Sequence, residues 1–128
     1  MQQLIKHCIQ ELPFEGCGIL AGKGQRITRF YPVPNQDRST CSFSFEPKAY
    51  LKNLKQMDDK GLSLLGILHS HPHSDPYPST RDILEWHYPD VSNWILSLKR
   101  DKPHLSACFI RNGQVFPIHY HVMESFSD

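Results

Sequence analysis

The chain has 128 residues, of which 39% are hydrophobic and 21% charged, and a formal net charge of +1 at pH 7. This length and composition are typical of one globular domain, and we expect residues 1–128 to form it. The near-neutral net charge does not indicate a basic surface that would bind a nucleic acid. The longest apolar runs are too short to cross a bilayer. The first residues lack a signal-peptide pattern, so we expect a cytoplasmic protein with free cysteines.

Hydrophobic periodicity divides the chain into helices and strands of one α/β domain. In chain order the predicted elements are a helix over residues 1–11, strands over 15–22, 25–33 and 41–45, a helix over 46–60, a strand over 62–68, a helix over 80–88, and strands over 93–98, 105–111 and 114–120. Pro13 ends the first helix, Gly61 ends the second, and Asn112-Gly113 predicts a tight hairpin turn between the last two strands. We expect the residues after Met123 to be frayed.

Two histidines follow the apolar strand over residues 62–68. Because side chains in a strand alternate between faces, His69 and His71 present both imidazoles on one face. A proline-rich turn follows and reverses the chain. The next residues, Ser79-Thr80-Arg81-Asp82, have the pattern of the first turn of a helix, which would bring the Asp82 carboxylate back to the two histidines. Two imidazoles and one carboxylate suit zinc, and a catalytic zinc keeps its fourth position open. The stretch therefore predicts a hydrolytic metal site.

The same residue types also have simpler explanations. A bare His-x-His is more often a pair of surface histidines, and Ser79 with Asp82 has the spacing of a helix capping box, which is compatible with metal binding. We expect His73 to be a loop residue near the cleft, and His119 and His121 to be surface histidines. The four cysteines are scattered and form no Cys-x-x-Cys pair, which excludes a zinc finger.

A metal-dependent hydrolase also needs a group that takes a proton and returns it to the leaving amine. Glu15 is the candidate, because the following Gly16-Cys17-Gly18 has small side chains that permit close approach of another backbone or a ligand. Cys17 lies two residues from Glu15, where it would be the nucleophile of a cysteine hydrolase. Such an enzyme needs a histidine partner for its thiol, and the histidines of the motif are assigned to the metal, so we expect Cys17 to be a small buried thiol.

Glu15 with the run 16–22, His69-Ser70-His71-Pro72, Ser79 and Asp82 together resemble the signature of the JAMM (MPN-plus, JAB) metalloprotease family. That signature is a distant glutamate, then His-x-His-Pro, a short spacer and Ser-x-x-Asp. Every element is present in order. The similarity extends over nearly the whole chain and includes the Phe-Ser-Phe-Glu-Pro entry of the second predicted helix.

The resemblance implies a cytidine-deaminase-like α-β-α sandwich, in which a single mixed β-sheet is flanked by helices. It implies one Zn²⁺ per chain, bound by His69, His71 and Asp82. It also implies that Glu15 is the general acid/base and that Ser79 steadies the oxyanion of the tetrahedral intermediate. The whole chain would then be one metalloprotease domain.

The spacing between strands leaves little room for long insertions, so the chain looks most similar to the small stand-alone bacterial branch of the family. That similarity implies hydrolysis of the bond after the C-terminal Gly-Gly of a ubiquitin-like, sulfur-carrier type protein. No nucleic-acid or membrane partner is expected, and no oligomeric state is implied. Two alternatives remain: a non-catalytic scaffold of the same fold, and a RadC-like, DNA-repair-associated protein with a similar motif.

Overall fold

The computed structural model describes residues 1–123, which form three helices and six strands. In chain order these are α1 (Gln2–Glu11), β1 (Cys17–Lys23), β2 (Arg26–Val33), α2 (Pro47–Asp59), β3 (Ser63–His71), α3 (Thr80–Glu85), β4 (Ser92–Ser97), β5 (His104–Arg111) and β6 (Gln114–Ile118). The expected fraying after Met123 lies outside the described residues. None of the helices within residues 1–123 is both long and apolar enough to span a membrane.

All six strands belong to one sheet in the order β2-β1-β3-β4-β5-β6. Neighbouring strands are antiparallel except β3 and β4, which are parallel and are joined through α3. A parallel pair needs a crossover connection, and the proline-rich turn and α3 supply it. The prediction of a single mixed sheet is therefore confirmed, with β3 near its centre.

Helices cover both faces of the sheet and produce two hydrophobic clusters. Leu4 and Cys8 of α1 pack with residues of one face, among them Leu68. Met57 of α2 packs with residues of the other face, among them Ile19. Successive side chains of a strand point to opposite faces, so the two clusters share the same strands. The result is the predicted α-β-α arrangement.

The predicted strand over residues 41–45 is wrong. The segment forms one isolated bridge, between Asn35 and Phe45, and is otherwise irregular. The Asn35 amide takes the backbone groups that a ladder would use, because it donates to the Ser42 carbonyl and accepts from the Ser44 N–H. Side chains of this type compete with regular secondary structure in this way. The residues therefore form part of a loop between β2 and α2.

The ends of two other elements also differ from the predictions. β3 continues through His71, because the Ser70 N–H donates to the Gly16 carbonyl and the His71 carbonyl accepts from Leu98. α3 ends at Glu85 because the next residue is already extended. The predicted turn between β5 and β6 is present, with positive φ angles of 52° and 76° at the Asn-Gly pair.

Candidate functional site

Three potential metal ligands converge at the carboxyl end of β3. The Nε2 atoms of His69 and His71 lie 3.2 Å apart, and the Asp82 Oδ2 lies 3.2 Å from the first and 3.1 Å from the second. Ligands on a tetrahedral zinc at 2.0–2.1 Å lie about 3.3 Å from one another. The three atoms are therefore spaced like three corners of a zinc coordination shell, and no other group of three such ligands occurs within residues 1–123.

The hydrogen bonding of His71 leaves the correct nitrogen free for a metal. Its Nδ1 lies 2.9 Å from the Asp75 carbonyl oxygen, which can only accept, so Nδ1 carries the proton. The lone pair of a neutral imidazole is then on Nε2, the atom that faces Asp82. A backbone carbonyl that orients a histidine in this manner is common around bound metals. The donor set therefore fits a divalent metal ion.

Burial and mutual contacts set the charges of this triad. Burial lowers the pKa of the fully buried His69, which keeps its imidazole neutral. Burial opposes ionisation of Asp82, but its contacts with both imidazoles and the hydrogen bond that it accepts from the Ser79 N–H hold the pKa of this carboxyl well below its usual range. Burial also opposes protonation of His71, but the Asp82 carboxylate and the Asp75 carbonyl together raise its pKa, so a bound metal would take the place of a proton at its Nε2. A neutral imidazole and an ionised carboxylate are the forms that bind metal.

Ser79 and Asp82 also form a capping box at the start of α3. The Ser79 Oγ accepts from the Asp82 N–H at 3.0 Å, and the Ser79 N–H donates to the Asp82 Oδ2 at 2.9 Å. Because the Ser79 oxygen accepts this bond, its hydroxyl hydrogen is left over for another acceptor. Ser79 is exposed at the rim of the triad. The helix start therefore positions both the Asp82 carboxylate and a hydroxyl donor.

The sheet register brings Glu15 to the triad. β1 pairs with β3 so that Cys17 lies opposite His69, and the Gly16 N–H and carbonyl both bond to Ser70. The ladder begins at Cys17, and Glu15 lies two residues before it, close enough to His71 and Asp82 for their charges to shift its pKa. Glu15 is 3% exposed. It is the one acidic residue that the β1–β3 pairing delivers to the triad.

The pKa of the Glu15 carboxyl lies near neutrality. Burial raises its pKa to about 8, while the nearby His71 lowers it and the Asp82 carboxylate raises it by smaller amounts. Its Oε1 has no hydrogen-bond partner within the described part of the chain. A buried acceptor without a partner costs free energy and commonly marks a functional position. A carboxyl with a pKa near neutrality can both accept and return a proton.

Two contacts around the triad were not predicted from the sequence. Ser70, between the two histidines, points to the opposite face, and its hydroxyl accepts from the Gly16 N–H at 2.7 Å. Phe43 stacks on the His69 ring with centroids 4.7 Å apart. The His-x-His spacing indicates which face Ser70 occupies, but no local pattern indicates that residues 41–45 fold back over His69.

The other cysteine and histidine residues considered in the sequence analysis do not belong to the triad. Cys17 is buried, donates to the Val33 carbonyl, and has a pKa raised by burial, which keeps it a thiol. His73 is an exposed loop residue, as predicted. His119 and His121 are exposed beyond the end of β6 and belong to no ligand group within residues 1–123.

Comparisons with known proteins identify the family of the chain. The profile of the family described as prokaryotic homologs of the JAB domain matches residues 1–110. A "Probable TtuB-protein conjugate cleaving protease" of Thermus thermophilus is 40% identical over 94 residues, which are 71% of this chain and 63% of that protein. A "CysO-cysteine peptidase" of Mycobacterium tuberculosis is 32% identical over 103 residues, 79% of this chain and 69% of that protein. The chain thus spans about two thirds of the length of these relatives.

Solved structures give the same result for the fold. A solution structure of a protein from Desulfitobacterium hafniense has a TM-score of 0.90 and 32% identity, and the match covers 98% of this chain and 89% of that one. A JAB1/MPN domain protein from Archaeoglobus fulgidus shares the fold, with a TM-score of 0.64 and 17% identity over 96% of this chain and 93% of the other. The chain belongs to the family of prokaryotic homologs of the JAB domain.

Proposed function

We propose that the protein is a zinc metallopeptidase that hydrolyses the bond after the C-terminal Gly-Gly of a ubiquitin-like, sulfur-carrier type protein. The observation that carries the proposal is the convergence of His69, His71 and Asp82 to within 3.2 Å beside the buried Glu15. We further propose that the whole chain forms one such domain. Each residue then has a task that follows from its contacts.

His69, His71 and Asp82 would hold one Zn²⁺. Three protein ligands leave a fourth position of a tetrahedral ion open. When bound, the ion supplies a Lewis acid and makes a coordinated water acidic enough to react at neutral pH. The Asp75 carbonyl keeps the proton of His71 on Nδ1, so the chain presents its Nε2 lone pair toward that ion.

Glu15 and Ser79 would handle the proton and the developing charge. Glu15 takes a proton from the attacking water and delivers it to the leaving amine, a role that suits a carboxyl with a pKa raised to about 8. Ser79 donates its free hydroxyl hydrogen to the oxyanion of the tetrahedral intermediate. Both groups are held by backbone, Glu15 beside β3 and Ser79 at the start of α3.

The substrate class rests on the relatives. Their names describe cleavage of TtuB-protein conjugates and of CysO-cysteine. A diglycine tail lacks side chains, so it can lie extended in a narrow groove and bring its last carbonyl to a buried site. The Phe43 ring stacks on His69 with centroids 4.7 Å apart, and we propose that it contacts this tail.

The proposal is tested with a ubiquitin-like carrier fused through its terminal Gly-Gly to a short peptide. Zinc-loaded protein should release the carrier with a free Gly-Gly carboxylate, detected by intact mass spectrometry, and a chelator should stop the reaction. The matched control is the same fusion with Ala-Ala in place of Gly-Gly, which should stay intact. Equal cleavage of both fusions would reject the diglycine assignment.

A non-catalytic scaffold is distinguished by the same experiment. If the protein binds about one zinc per chain and cleaves no carrier fusion or carrier–amino-acid adduct, the proposed activity is wrong. If it binds no zinc, the proposed ligand set is wrong as well. DNA binding at moderate salt would support the RadC-like alternative.

Ser79→Ala is expected to lower kcat by about 10²- to 10³-fold, which is the usual cost of removing one oxyanion donor. Zinc content, measured by mass spectrometry, should be unchanged because Ser79 is not a ligand. The substitution also removes a helix cap, which costs about 1 kcal/mol of stability. The rate loss therefore needs a variant that separates these two effects.

Ser79→Gly serves this purpose. Glycine is a tolerated N-cap residue that costs only about a few tenths of a kcal/mol relative to serine, but it carries no hydroxyl. We expect its kcat to fall as far as that of Ser79→Ala, with a smaller loss of thermal stability. A Ser79→Gly protein with nearly normal kcat would show that Ser79 is only a cap.

A further inference from the structure

The loop between β2 and α2, residues 34–46, lies over the candidate site and is organised by one side chain. Asn35 is 6% exposed and uses its entire hydrogen-bonding capacity. Its Nδ2 donates to the Glu15 and Ser42 carbonyls, both at 3.0 Å. Its Oδ1 accepts from the Asp37 N–H at 3.0 Å and from the Ser44 N–H at 3.1 Å. One buried amide therefore ties Glu15 to both halves of the loop.

Both backbone polar groups of Glu15 bond to this loop. The carbonyl accepts from Asn35, and the N–H donates to the Ser39 carbonyl at 2.8 Å. The next residue, Gly16, is bonded to Ser70 of β3 through both its backbone groups. The peptide unit before the Glu15 Cα is thus held by the loop, through Ser39. The peptide unit after it is held at its carbonyl by Asn35 and at its N–H by the Ser70 hydroxyl of the strand that carries the histidines.

The Glu15 side chain has no comparable restraint of its own. Its Oε1 has no hydrogen-bond partner among residues 1–123, so the position of the carboxyl depends on its backbone and on packing. Catalytic groups lose efficiency when they are displaced by an ångström, even by changes remote from the chemistry. The group that secures this backbone therefore controls the working position of the carboxyl.

We propose that Asn35 is a positioning residue for the hydrolytic reaction, and that it acts by holding the Glu15 main chain so that the carboxyl faces the His69–His71–Asp82 triad. The inference rests on the proposed function. Asn35 makes no hydrogen bond to the three triad residues among the described residues. Its most direct route to the chemistry is its bond to the Glu15 carbonyl. A second route leads through its bonds to Ser42 and Ser44, which flank Phe43, the residue that stacks on His69. By the first route, its effect should appear in kcat and leave metal binding unchanged.

Asn35→Ala is expected to lower kcat by about 10- to 100-fold, since displacing a catalytic group by about an ångström can cost about 10²-fold in rate. KM reports on the second route, because Ser42 and Ser44 flank Phe43. A rise in KM of more than about twofold with an unchanged kcat would overturn the inference, because Asn35 would then act through Phe43. Zinc affinity, measured by competition with a chromophoric chelator, should be unchanged. Asn53→Ala is the matched control, since Asn53 is a partly buried asparagine of α2 that donates one bond, at 3.3 Å, to the Pro32 carbonyl and makes no hydrogen bond to Glu15 or the triad among the described residues.

A double-variant cycle tests whether Asn35 acts through Glu15. In a Glu15→Gln background, adding Asn35→Ala should reduce the residual kcat by less than about twofold, because the group being positioned is already gone. A full 10-fold further loss would overturn the inference. An equal loss of zinc affinity in Asn35→Ala would also overturn it, because the side chain would then be supporting the triad or the fold.

Asn35→Asp covers the case in which the alanine variant does not fold. Aspartate keeps the acceptor for the Asp37 and Ser44 N–H groups but loses both donors, so the loop retains half of its bonds while the Glu15 carbonyl loses its partner. A fall in kcat of at least 10-fold in a folded protein supports the inference, and an unchanged kcat overturns it.

Hydrogen exchange gives a result that does not depend on any substrate. The Glu15 amide should exchange at least about 10-fold faster in Asn35→Asp than in the wild type, because its bond to Ser39 depends on the loop that Asn35 organises. If wild-type protein cleaves no carrier, the proposed function fails, and the exchange rate still decides whether Asn35 holds Glu15. An unchanged rate overturns the inference in that case.

Discussion

Glu15→Gln is expected to lower kcat by about 10²- to 10⁴-fold, the range supplied by a well-placed general acid/base. Glutamine keeps the size of the side chain and its acceptor oxygen but cannot take a proton from water or return one to the leaving amine. Initial rates on the carrier fusion, at saturating substrate, measure the effect directly. Zinc binding should persist, because Glu15 is not a member of the ligand group.

The control for this variant is Glu85→Gln. Glu85 is exposed at the end of α3, where it pairs with Arg81 at 2.8 Å, and an exposed ion pair contributes little to stability. The Glu85→Gln substitution should change kcat by less than about twofold. If Glu15→Gln retained more than a tenth of wild-type kcat, Glu15 would not be the proton carrier.

The same Glu15→Gln substitution should stabilise the metal-free protein, and increasingly so as the pH rises. Burial raises the pKa of Glu15 from 4.5 to about 8, so between these values the folded state keeps a proton that the unfolded state has lost. Wild-type stability therefore falls with pH across this window, whereas the glutamine variant has no such loss. Urea unfolding with a chelator present should show the gap in unfolding free energy growing by roughly 3 kcal/mol between pH 5 and pH 8.

The fall in kcat and the gain in stability of Glu15→Gln, taken together, distinguish a functional loss from a folding defect. A protein that becomes more stable and less active has lost a group kept for chemistry at a cost in stability. A gap that stayed constant from pH 5 to pH 8 would show that Glu15 is ionised in the folded, metal-free protein.

Asp82→Asn is expected to lower zinc affinity by more than about 100-fold, which exceeds the 10- to 100-fold typical of groups that only orient a ligand. The Asp82 Oδ2 lies 3.2 Å from the His69 Nε2 and 3.1 Å from the His71 Nε2, so the charge is removed from the middle of the ligand group. Peptidase activity should fall to the level of chelator-treated wild type. Competition with a chromophoric chelator measures the affinity, and excess zinc should restore only part of the rate.

Asp75→Asn is the matched control. Asp75 is 61% exposed, and its side chain faces Lys99 and Arg100, while only its backbone carbonyl contacts His71. Removing its charge should leave zinc affinity within about threefold of wild type. If Asp82→Asn bound zinc as tightly as Asp75→Asn does, the carboxylate would not be a ligand.

The positions of His69, His71 and Asp82 could be predicted from the sequence because they depend on interactions between residues close together in the chain. Alternation along β3 puts His69 and His71 on the same face, and the serine cap of α3 fixes where Asp82 points. These periods and caps operate over a few residues, so spacing alone predicts them. The mixed sheet with helices on both faces followed from the resemblance and is present.

The non-local half could not be predicted in this way. Glu15 reaches the triad because β1 is the neighbour of β3, and strand order does not follow from spacing. The segment 41–45 alternates like a strand, but a buried amide at Asn35 takes its backbone groups and turns it into a loop. Such a contact depends on tertiary burial, which periodicity does not report.

The pairing of β1 with β3 also means that the metal ligands and the proton carrier depend on different parts of the chain. The metal-ligand group comes from one short segment, from His69 to Asp82. The Gly16–Ser70 bonds next to Glu15 join residues 54 positions apart. A substitution that loosens the contact between these two distant segments should therefore displace the proton carrier and leave the metal-ligand group in place.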